Sequence, residues 1–369
     1  LGAIKSLVDR PVRIENDLLK FDISSHEIPK KELQAVLNQY RRKKKLHASR
    51  GVTCRPEQIV VGAGNDYLLM LLRYVFEETI TAAFENPTYP RAWKIFQLFA
   101  GEVVMVLSDA SGICIEDLEK SGAQVVYVMP SHQYPTGRMM PIGRRTELLN
   151  WAAREKERYI IEDDYDSEFR FSGKPIPTMA SIDKNQKVIY MNTFSKTLAP
   201  SIRIAYMVLP FELMDKYTKK LDFYSSTVSS FEQYTLAEFI KGGYYERHIN
   251  RMRNYYKDSR NKIITAIRNS SIYPQISIEE ENSGLHFILR IKKNIDDENF
   301  KKYLKDKLIN ISCLTDYCYQ YDDEVINEKF RKEFSHKFII NYSEVEESKM
   351  VEALKIIEQA LKFTAEKDT

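Results

Sequence analysis

The segment Asn192 to Thr197 combines a lysine with three hydroxyl side chains, and it follows an apolar run that predicts a buried strand. Burial of an ammonium is unfavourable and lowers its pKa, which makes the amine a better nucleophile toward an aldehyde. The hydroxyls of Thr193 and Ser195 and the guanidinium of Arg203 would donate hydrogen bonds to a phosphate dianion. We therefore predict that Lys196 forms a Schiff base with a phosphorylated aldehyde.

A run of acidic side chains ends the preceding predicted strand, at residues 162 to 166. A pyridoxal ring needs a carboxylate beside its nitrogen, which keeps that nitrogen protonated. We assign this role to Asp163 and expect Tyr165 to reach the phenolic oxygen of the ring. The other acids are interpreted as ordinary loop or helix-start carboxylates: Glu162, Asp164 and Asp166. A metal site is the alternative, but no histidine cluster or second acidic motif accompanies the run.

The stretch from Val61 to Asn65 places two glycines between a predicted strand and a predicted helix. Backbone amides at a helix start can bind phosphate, and glycine permits the close approach. We therefore assign Gly64 and Asn65 to the cofactor site. A dinucleotide site is disfavoured because Tyr67 replaces the third glycine of the G-x-G-x-x-G pattern.

Two further loops follow predicted strands and add aromatic and polar side chains. Tyr89 offers a face for stacking on a flat ring, although core packing is the alternative in a chain with 23 tyrosines. The loop Pro130 to Gly137 ends another strand and includes Gln133. All of these segments follow the carboxyl ends of strands, where open α/β sheets bind ligands.

The elements that must position these residues alternate between residues 56 and 210. Helical patterns separate seven apolar runs: Gln58–Val61, Thr81–Phe84, Glu102–Leu107, Gln124–Met129, Arg158–Ile161, Lys187–Met191 and Ile204–Val208. Strands that alternate with helices predict an α/β fold with a mostly parallel sheet covered on both faces.

The pattern changes after Phe211 to a long charged helix at His248–Arg268, strands at Leu285–Ile291 and Lys337–Tyr342, and a final amphipathic helix. This change predicts a second, smaller α+β domain. We expect residues 1–45 to pack on the small domain, residues 46–245 to form the large domain and residues 246–369 to form the small one.

Composition limits the classes of protein that the 369 residues can form. A hydrophobic fraction of 43% with 29% charged residues is typical of a folded globular protein. The net charge of +3 does not indicate a nucleic-acid surface, and the basic run Arg41 to Lys45 is interpreted as a solvated helix face. Four scattered cysteines predict reduced thiols, and no apolar stretch approaches the roughly 20 residues of a membrane span. We expect a cytoplasmic protein without a secretory leader, and a chain that starts with Leu1 is expected to be a piece of something longer.

The chain resembles the aminotransferase-like effector-binding domain of the MocR/GabR subfamily of GntR-type bacterial transcription regulators. The resemblance covers most of the chain and is densest at Pro130–Gly137, Tyr159–Phe169, Thr193–Pro200 and Ser283–Phe287. The string Asp-Asp-Tyr-Asp-Ser-Glu-Phe within the second stretch is far more specific to these regulators than to working aminotransferases.

The resemblance implies the type I aminotransferase fold and a homodimer that binds pyridoxal 5′-phosphate through Lys196. It places Asp163 at the ring nitrogen and Ser195 and Arg203 at the phosphate. An amino-group effector would exchange with the lysine to form an external aldimine. It further implies that the domain senses an effector for a transcription regulator and is not an enzyme, although it could carry out half-transamination. DNA binding would come only through an N-terminal winged-helix domain that is absent from this chain. A true aminotransferase that acts on a small amino compound is the alternative.

The sequence departs from the family pattern in three places. The usual Gly/Pro-rich loop before Leu46 is absent, either deleted or missing from this sequence, and Tyr134 replaces the Asn that aminotransferases place before Pro-Thr-Gly. We expect Gln133 to take over the contact of that Asn with the ring oxygen. Near the C-terminal strand, the Arg that holds a substrate carboxylate is replaced within the stretch Asn341 to Glu344.

The third departure predicts the kind of effector, because Glu344 cannot hold a carboxylate. We expect an effector other than a simple amino acid in the usual pose. The candidates are a D-alanine-containing compound such as D-alanyl-D-alanine, or the cofactor itself as the sensed signal. Arg91 could take a carboxylate from another direction, and Tyr342 and Glu344 are assigned to the effector site.

Overall fold

The computed structural model describes residues 51–76, 79–171, 176–282, 284–343 and 345–364. The predicted N-terminal segment 1–45, the region before Leu46, the basic run and Glu344 lie outside the described residues.

Eight strands form the first sheet, and all seven predicted runs are among them. They are β1 Ile59–Gly62, β2 Thr81–Asn86, β3 Glu102–Asp109, β4 Gly112–Ile113, β5 Val125–Val128, β6 Tyr159–Asp163, β7 Val188–Thr193 and β8 Ala205–Val208. Their order is β1-β8-β7-β6-β5-β2-β3-β4, with parallel pairing from β7 through β6, β5 and β2 to β3. Strand β8 is antiparallel to both β7 and β1. The carboxyl ends of β1, β2, β5, β6 and β7 therefore lie at one edge of the sheet.

Helices cover both faces of this sheet. They are α1 Asn65–Val75, α2 Pro90–Gln97, α3 Ile115–Lys120, α4 Ile142–Arg154, α5 Met179–Ile182 and α6 Phe211–Leu221. Strands β1, β5 and β6 are buried along their whole length, which is the reason that they are apolar without alternation. One core contains Leu72 of α1 and Phe96 of α2, and the core of the opposite face contains Trp151 of α4.

A second, antiparallel sheet contains four strands in the described part of the chain. They are β9 Ile276–Glu279, β10 His286–Ile291, β11 Ser312–Cys313 and β12 Lys337–Asn341, in the order β11-β12-β10-β9. The accompanying helices are α7 Ser230–Lys241, α8 Tyr244–Arg268, α9 Asp297–Asp306, α10 Glu324–Phe334 and α11 Glu347–Thr364. Short 3-10 helices span Pro56–Gln58, Pro200–Ile202, Tyr273–Gln275 and Leu314–Tyr317.

The long helix α8 packs on the cores of both sheets. Tyr245 and Ile249 near its start join the core beside β1, β7 and β8, whereas Ile263 and Ile267 near its end join the core of the second sheet. The proposed domain boundary between residues 245 and 246 falls in the first turn of this helix. All four cysteines are free thiols, and no described helix is long and apolar enough to span a membrane.

Candidate cofactor and effector site

Asp163 ends β6 at the shared carboxyl edge of the first sheet, and it is only 5% exposed. The hydroxyl of Tyr127 on β5 donates to Oδ2 at 2.5 Å, and Nδ2 of Asn65 donates to Oδ1 at 3.0 Å. Burial raises the pKa of Asp163 to about 6, although both hydrogen bonds lower it. One donor on each oxygen fixes the orientation of the carboxylate, and this geometry suits a partner for a protonated ring nitrogen.

The other three acids of the run are buried and bonded and no helix begins at them, so our interpretation of them as ordinary loop or helix-start carboxylates is wrong. Glu162 accepts hydrogen bonds from the amides of Met179 and Ala180 at the start of α5. Asp164 accepts from the hydroxyl of Tyr190, and Asp166 contacts the imidazole of His132. Within the described residues, no group of acids, histidines and cysteines could hold a metal ion.

The candidate phosphate site joins the start of α1 to Arg203. Arg203 adopts a left-handed backbone with φ of 48°, and its Nη2 donates to the carbonyl of Ala63 at 3.5 Å. A Cβ at Gly64, where φ is +98°, would lie 2.7 Å from that nitrogen. Glycine is therefore required here both for the backbone conformation and for the approach of the guanidinium. Helix-start amides and a guanidinium side by side fit a phosphate dianion.

The predicted lysine segment follows β7 directly. Oγ1 of Thr193 accepts from the amide of Ser195 at 3.1 Å, and this bond shapes the turn that leads to Lys196. Lys196 is exposed, so the burial from which we argued for an activated amine is not observed. It lies near the second sheet, since its charge contributes to lowering the pKa of His286, for which burial is the largest cause.

Tyr89 lies near enough to both Asp163 and Arg203 to feel their charges. Burial is the main cause that raises its pKa, and among the further contributions the charge of Asp163 raises it while that of Arg203 lowers it. The ring of Tyr134 meets it edge-on, with the ring centroids 5.8 Å apart. This position suits the predicted stacking of Tyr89 on a flat ring.

Gln133 is engaged by the protein at both ends of its amide. Its nitrogen donates to the carbonyl of Pro87 at 2.7 Å, and its oxygen accepts from both the amide and the hydroxyl of Thr136. Gln133 thus connects the loop after β2 to the loop after β5 by hydrogen bonds. This bonding argues against our prediction that it replaces the missing Asn at the ring oxygen. Tyr165 remains assigned to that oxygen, and burial raises its pKa well above 10, so its hydroxyl is a neutral donor.

The two described side chains assigned to an effector, Arg91 and Tyr342, are both engaged by other residues of the protein. Arg91 pairs with Asp66 at 3.1 Å, and its side chain is 61% exposed. Tyr342 is buried in the second core, where its ring stacks on Phe287 and its hydroxyl donates to the carbonyl of Gly284. These contacts argue against a direct role for Tyr342. Glu344 lies outside the described residues.

Three side chains that our sequence assignment did not select also lie at the site. Tyr127 bonds to Asp163, His132 contacts Tyr165, and the hydroxyl of Tyr317 from the second sheet's region lies 2.9 Å from that of Tyr134. The signal for Tyr127 was a hydroxyl within an otherwise apolar strand. We find no sequence signal for Tyr317, because its place depends on the packing of the two sheets.

Comparisons with known proteins show the family to which this chain belongs. The model of the aminotransferase class I and II family matches residues 25–327. The chain is 45% identical over 266 residues to the uncharacterized HTH-type transcriptional regulator YdeL of Bacillus subtilis (strain 168), covering 72% of this chain and 56% of YdeL. It is 34% identical over 284 residues to the probable rhizopine catabolism regulatory protein MocR of Rhizobium meliloti, covering 77% of this chain and 56% of MocR. The chain therefore spans about half the length of these curated relatives.

The fold has a counterpart among solved structures. An archaeal alanine:glyoxylate aminotransferase superposes with a TM-score of 0.75 at 21% sequence identity, covering 91% of this chain and 80% of that one. This likeness establishes the type I aminotransferase fold that we expected from the sequence.

The cofactor of this fold is pyridoxal 5′-phosphate, and the residues at the sheet edge suit it. The carboxylate of Asp163 has donors that fix it, and the cradle at Gly64 has no room for a side chain beside Arg203. Lys196 follows the neighbouring strand β7 at the same edge of the sheet. The chain belongs to the aminotransferase class I and II family, and the curated relatives described above are transcription regulators.

Proposed function

We propose that this chain is the effector-sensing and dimerising domain of a pyridoxal-phosphate-dependent bacterial transcription regulator. The proposal rests on one contrast within the site. The groups for the cofactor gather at one sheet edge, whereas Arg91, the described candidate for gripping a carboxylate, is paired with Asp66 and largely exposed. An aminotransferase needs a substrate held in one reactive pose, and a sensor needs only a reversible amine contact.

Each cofactor residue has a distinct task in this proposal. When bound, pyridoxal phosphate supplies an aldehyde that condenses with amines and a ring that withdraws electrons. Lys196 would hold the aldehyde carbon, and Asp163 would keep the proton at the ring nitrogen. Tyr165 would donate to the ring oxygen, while Arg203 and the first amides of α1 would bind the phosphate.

The effector that we propose is a compound with a free amino group that does not depend on a carboxylate clamp. D-alanyl-D-alanine and other D-alanine compounds meet this description, because an amide separates the amine from the terminal carboxylate in the dipeptide. DNA would be bound by a separate helix-turn-helix domain joined to this chain, since the name of the curated relative YdeL describes an HTH-type regulator.

An absorbance titration tests the sensor against the enzyme. The cofactor-loaded protein, Lys196→Ala and the control Lys219→Ala, an exposed lysine of α6, are titrated with D-alanyl-D-alanine, D-alanine, GABA and L-amino acids. We expect a saturable spectral shift with a D-alanine compound, no release of keto acid, and loss of the shift in Lys196→Ala alone. Sustained release of keto acid would identify an aminotransferase, and tight lysine-dependent binding of GABA would refute the proposed effector class.

A homodimer is part of the proposal. Large aromatic side chains are exposed around α6 and α7, with Phe223 at 78% and Phe231 at 80%. Apolar surface of this kind is typical of an interface between subunits. The neighbouring Tyr224 is linked through its hydroxyl to Tyr67 of α1, the helix whose first amides face the candidate phosphate site. A partner on this surface would therefore lie close to the cofactor.

A further inference from the structure

His132 and Asp166 form a buried cluster with Tyr165 beside the cofactor residues, and neither the imidazole nor this carboxylate has a task in the function proposed above. His132 is 2% exposed and Asp166 is 1% exposed. Nδ1 of His132 lies 2.9 Å from Oδ2 of Asp166 and 3.2 Å from Oδ1. The same nitrogen lies 3.0 Å from the hydroxyl oxygen of Tyr165. One imidazole nitrogen thus joins a carboxylate to the tyrosine assigned to the ring oxygen.

The partners of His132 decide where its hydrogen lies. A carboxylate can only accept hydrogen bonds, so the nitrogen Nδ1 that faces Asp166 carries the hydrogen. The other nitrogen, Nε2, is buried and has no hydrogen-bond partner among the described residues. Asp166 alone therefore sets the tautomer. With a hydrogen on Nδ1, the oxygen of Tyr165 is an acceptor at this contact, and the tyrosine's own hydrogen is left for another partner.

We propose that Asp166 and His132 are positioning residues that direct the hydroxyl hydrogen of Tyr165 to the phenolic oxygen of the cofactor ring. The inference rests on the proposed binding of pyridoxal phosphate at Lys196 and on the assignment of Tyr165 to that oxygen. It gives a buried carboxylate and a buried imidazole a task that neither packing nor the phosphate site explains.

The second sheet holds this cluster in place. The amide of Leu285 donates to Oδ2 of Asp166 at 3.3 Å, and the ring of His286 lies 4.5 Å from that of His132 between centroids. A Cβ at Gly284, where φ is +70°, would lie 1.8 Å from Cε1 of His132. The chain segment that enters β10 therefore packs directly on the imidazole, and glycine is required for that contact.

Other ionisable groups surround the cluster and would contribute to any titration of the site. Those that act on Tyr165, His132 or the adjacent imidazole are Asp163, Asp164, Tyr134, Glu280, His286 and Lys196. All of them are unchanged in the variants below, so differences between these variants report the cluster itself.

The proposal predicts a specific effect of Asp166→Asn. The new amide can donate to Nδ1, which moves the imidazole hydrogen to Nε2 and turns Nδ1 into an acceptor for Tyr165. The hydroxyl of Tyr165 then points away from the ring. A hydrogen bond donated to the phenolic oxygen stabilises its unprotonated form and lowers the pKa of the lysine-bound cofactor. Asp166→Asn should therefore raise that pKa as Tyr165→Phe does.

The test is a pH titration of the absorbance of the full chain loaded with pyridoxal phosphate. We expect Tyr165→Phe and Asp166→Asn each to raise the cofactor pKa by about one unit, the equivalent of one charge-assisted hydrogen bond, with no further rise in the double variant. Tyr159→Phe at the far end of β6 is the control and should titrate like the wild type. A merely structural role would reduce stability or cofactor occupancy without moving this pKa.

Three outcomes would overturn the inference. They are an unshifted Asp166→Asn beside a shifted Tyr165→Phe, an unshifted Tyr165→Phe, and additive shifts in the double variant. If Asp166→Asn does not fold, His132→Phe takes its place, because phenylalanine keeps a ring but has neither nitrogen. We expect His132→Phe to raise the cofactor pKa by a smaller amount, and an unchanged pKa in this variant would contradict the inference. Absence of any lysine-bound absorbance in the wild type would instead overturn the proposed function, and this inference with it.

Discussion

Asp163 depends on Tyr127 for one of its two hydrogen bonds. This dependence can be tested by removing a single oxygen atom, that of the Tyr127 hydroxyl. Tyr127→Phe removes the donor at 2.5 Å and raises the pKa of Asp163 further, which disfavours the carboxylate that the ring nitrogen needs. We expect cofactor affinity at pH 7.5 to fall roughly tenfold, from a hydrogen bond to a charged group worth about 1.5 kcal/mol or more. Fluorescence titration with pyridoxal phosphate measures it. Tyr74→Phe, an exposed hydroxyl on α1, should bind like the wild type.

Glu85 on β2 is a buried acid outside the cofactor site, and it predicts a pH dependence of stability. Burial raises its pKa from 4.5 to about 7, against hydrogen bonds from the amides of Met129 and Ile113. Because the folded pKa exceeds the unfolded one, the folded state binds the proton more tightly between these values. The contribution of Glu85 to stability is therefore most favourable below pH 4.5 and is lost as the pH rises through 7.

Glu85→Gln removes this titration. Relative to wild type, the free energy of unfolding of the variant should rise by about 3 kcal/mol between pH 4.5 and pH 8, in addition to any pH-independent difference between the two proteins. Urea denaturation at several pH values measures the difference. A pH-independent difference would show that Glu85 is ionised in the folded state as freely as in the unfolded chain.

At the scale of elements, the turn between β1 and α1 is shaped for the approach of Arg203. Gly64→Ala puts a methyl group 2.7 Å from Nη2 and strains a backbone with φ of +98°. Gly122→Ala is a matched control, because its φ is +66° but nothing lies within 4 Å of the added carbon. Gly122→Ala should lose about 1 kcal/mol of stability, and Gly64→Ala should lose more, because φ of 98° with ψ of 164° is a backbone region that essentially only glycine adopts. Only Gly64→Ala should lose cofactor affinity, tenfold or more, and equal affinities in a cofactor titration would remove Gly64 from the phosphate site.

The packing of the two sheets brings a pair of hydroxyls together, and this contact belongs to the scale of the whole molecule. Tyr134 lies in the loop after β5, and Tyr317 ends the 3-10 helix after β11, with 2.9 Å between their oxygens. Loss of the shared hydrogen bond should destabilise the protein by about 1 kcal/mol. Tyr317→Phe and Tyr134→Phe should each show this loss, and the double variant should lose little more.

Urea denaturation of the cofactor-loaded protein provides the double-mutant cycle. Tyr319→Phe is the control in the same segment, since Tyr319 is 45% exposed. Strictly additive losses would mean that the two hydroxyls do not interact in solution.

Assembly is the second property of the whole molecule that can be tested. Phe223→Ser and Phe231→Ser remove exposed apolar rings from the surface that we propose for the homodimer. Together they should raise the dimer dissociation constant at least tenfold in sedimentation equilibrium, from the loss of about 2 kcal/mol of apolar burial. Phe363→Ser on α11, equally exposed at 73%, should leave it unchanged. A wild-type monomer at micromolar concentration would refute the dimer.

The sequence alone determined seven of the eight strands of the first sheet, all except the two-residue β4, and the residues that follow their carboxyl ends. Buried parallel strands are apolar along their whole length, and the turns after them must carry glycines and polar side chains, so both signals are local in the chain. For that reason Asp163, Gly64 and Arg203 could be selected without coordinates. The same local signals identified the long charged helix and two of the four described strands of the second sheet, β10 and β12.

Only the tertiary structure decided how the assigned side chains are used. Gln133 and Tyr342 proved to be bonded within the protein, and Asp166 proved to be a buried partner of His132 rather than a loop charge. Each of these outcomes depends on a residue that is distant in sequence. Sequence spacing specifies the strand edge at which a side chain emerges, but the packing of the second sheet against that edge decides which donors and acceptors are already satisfied.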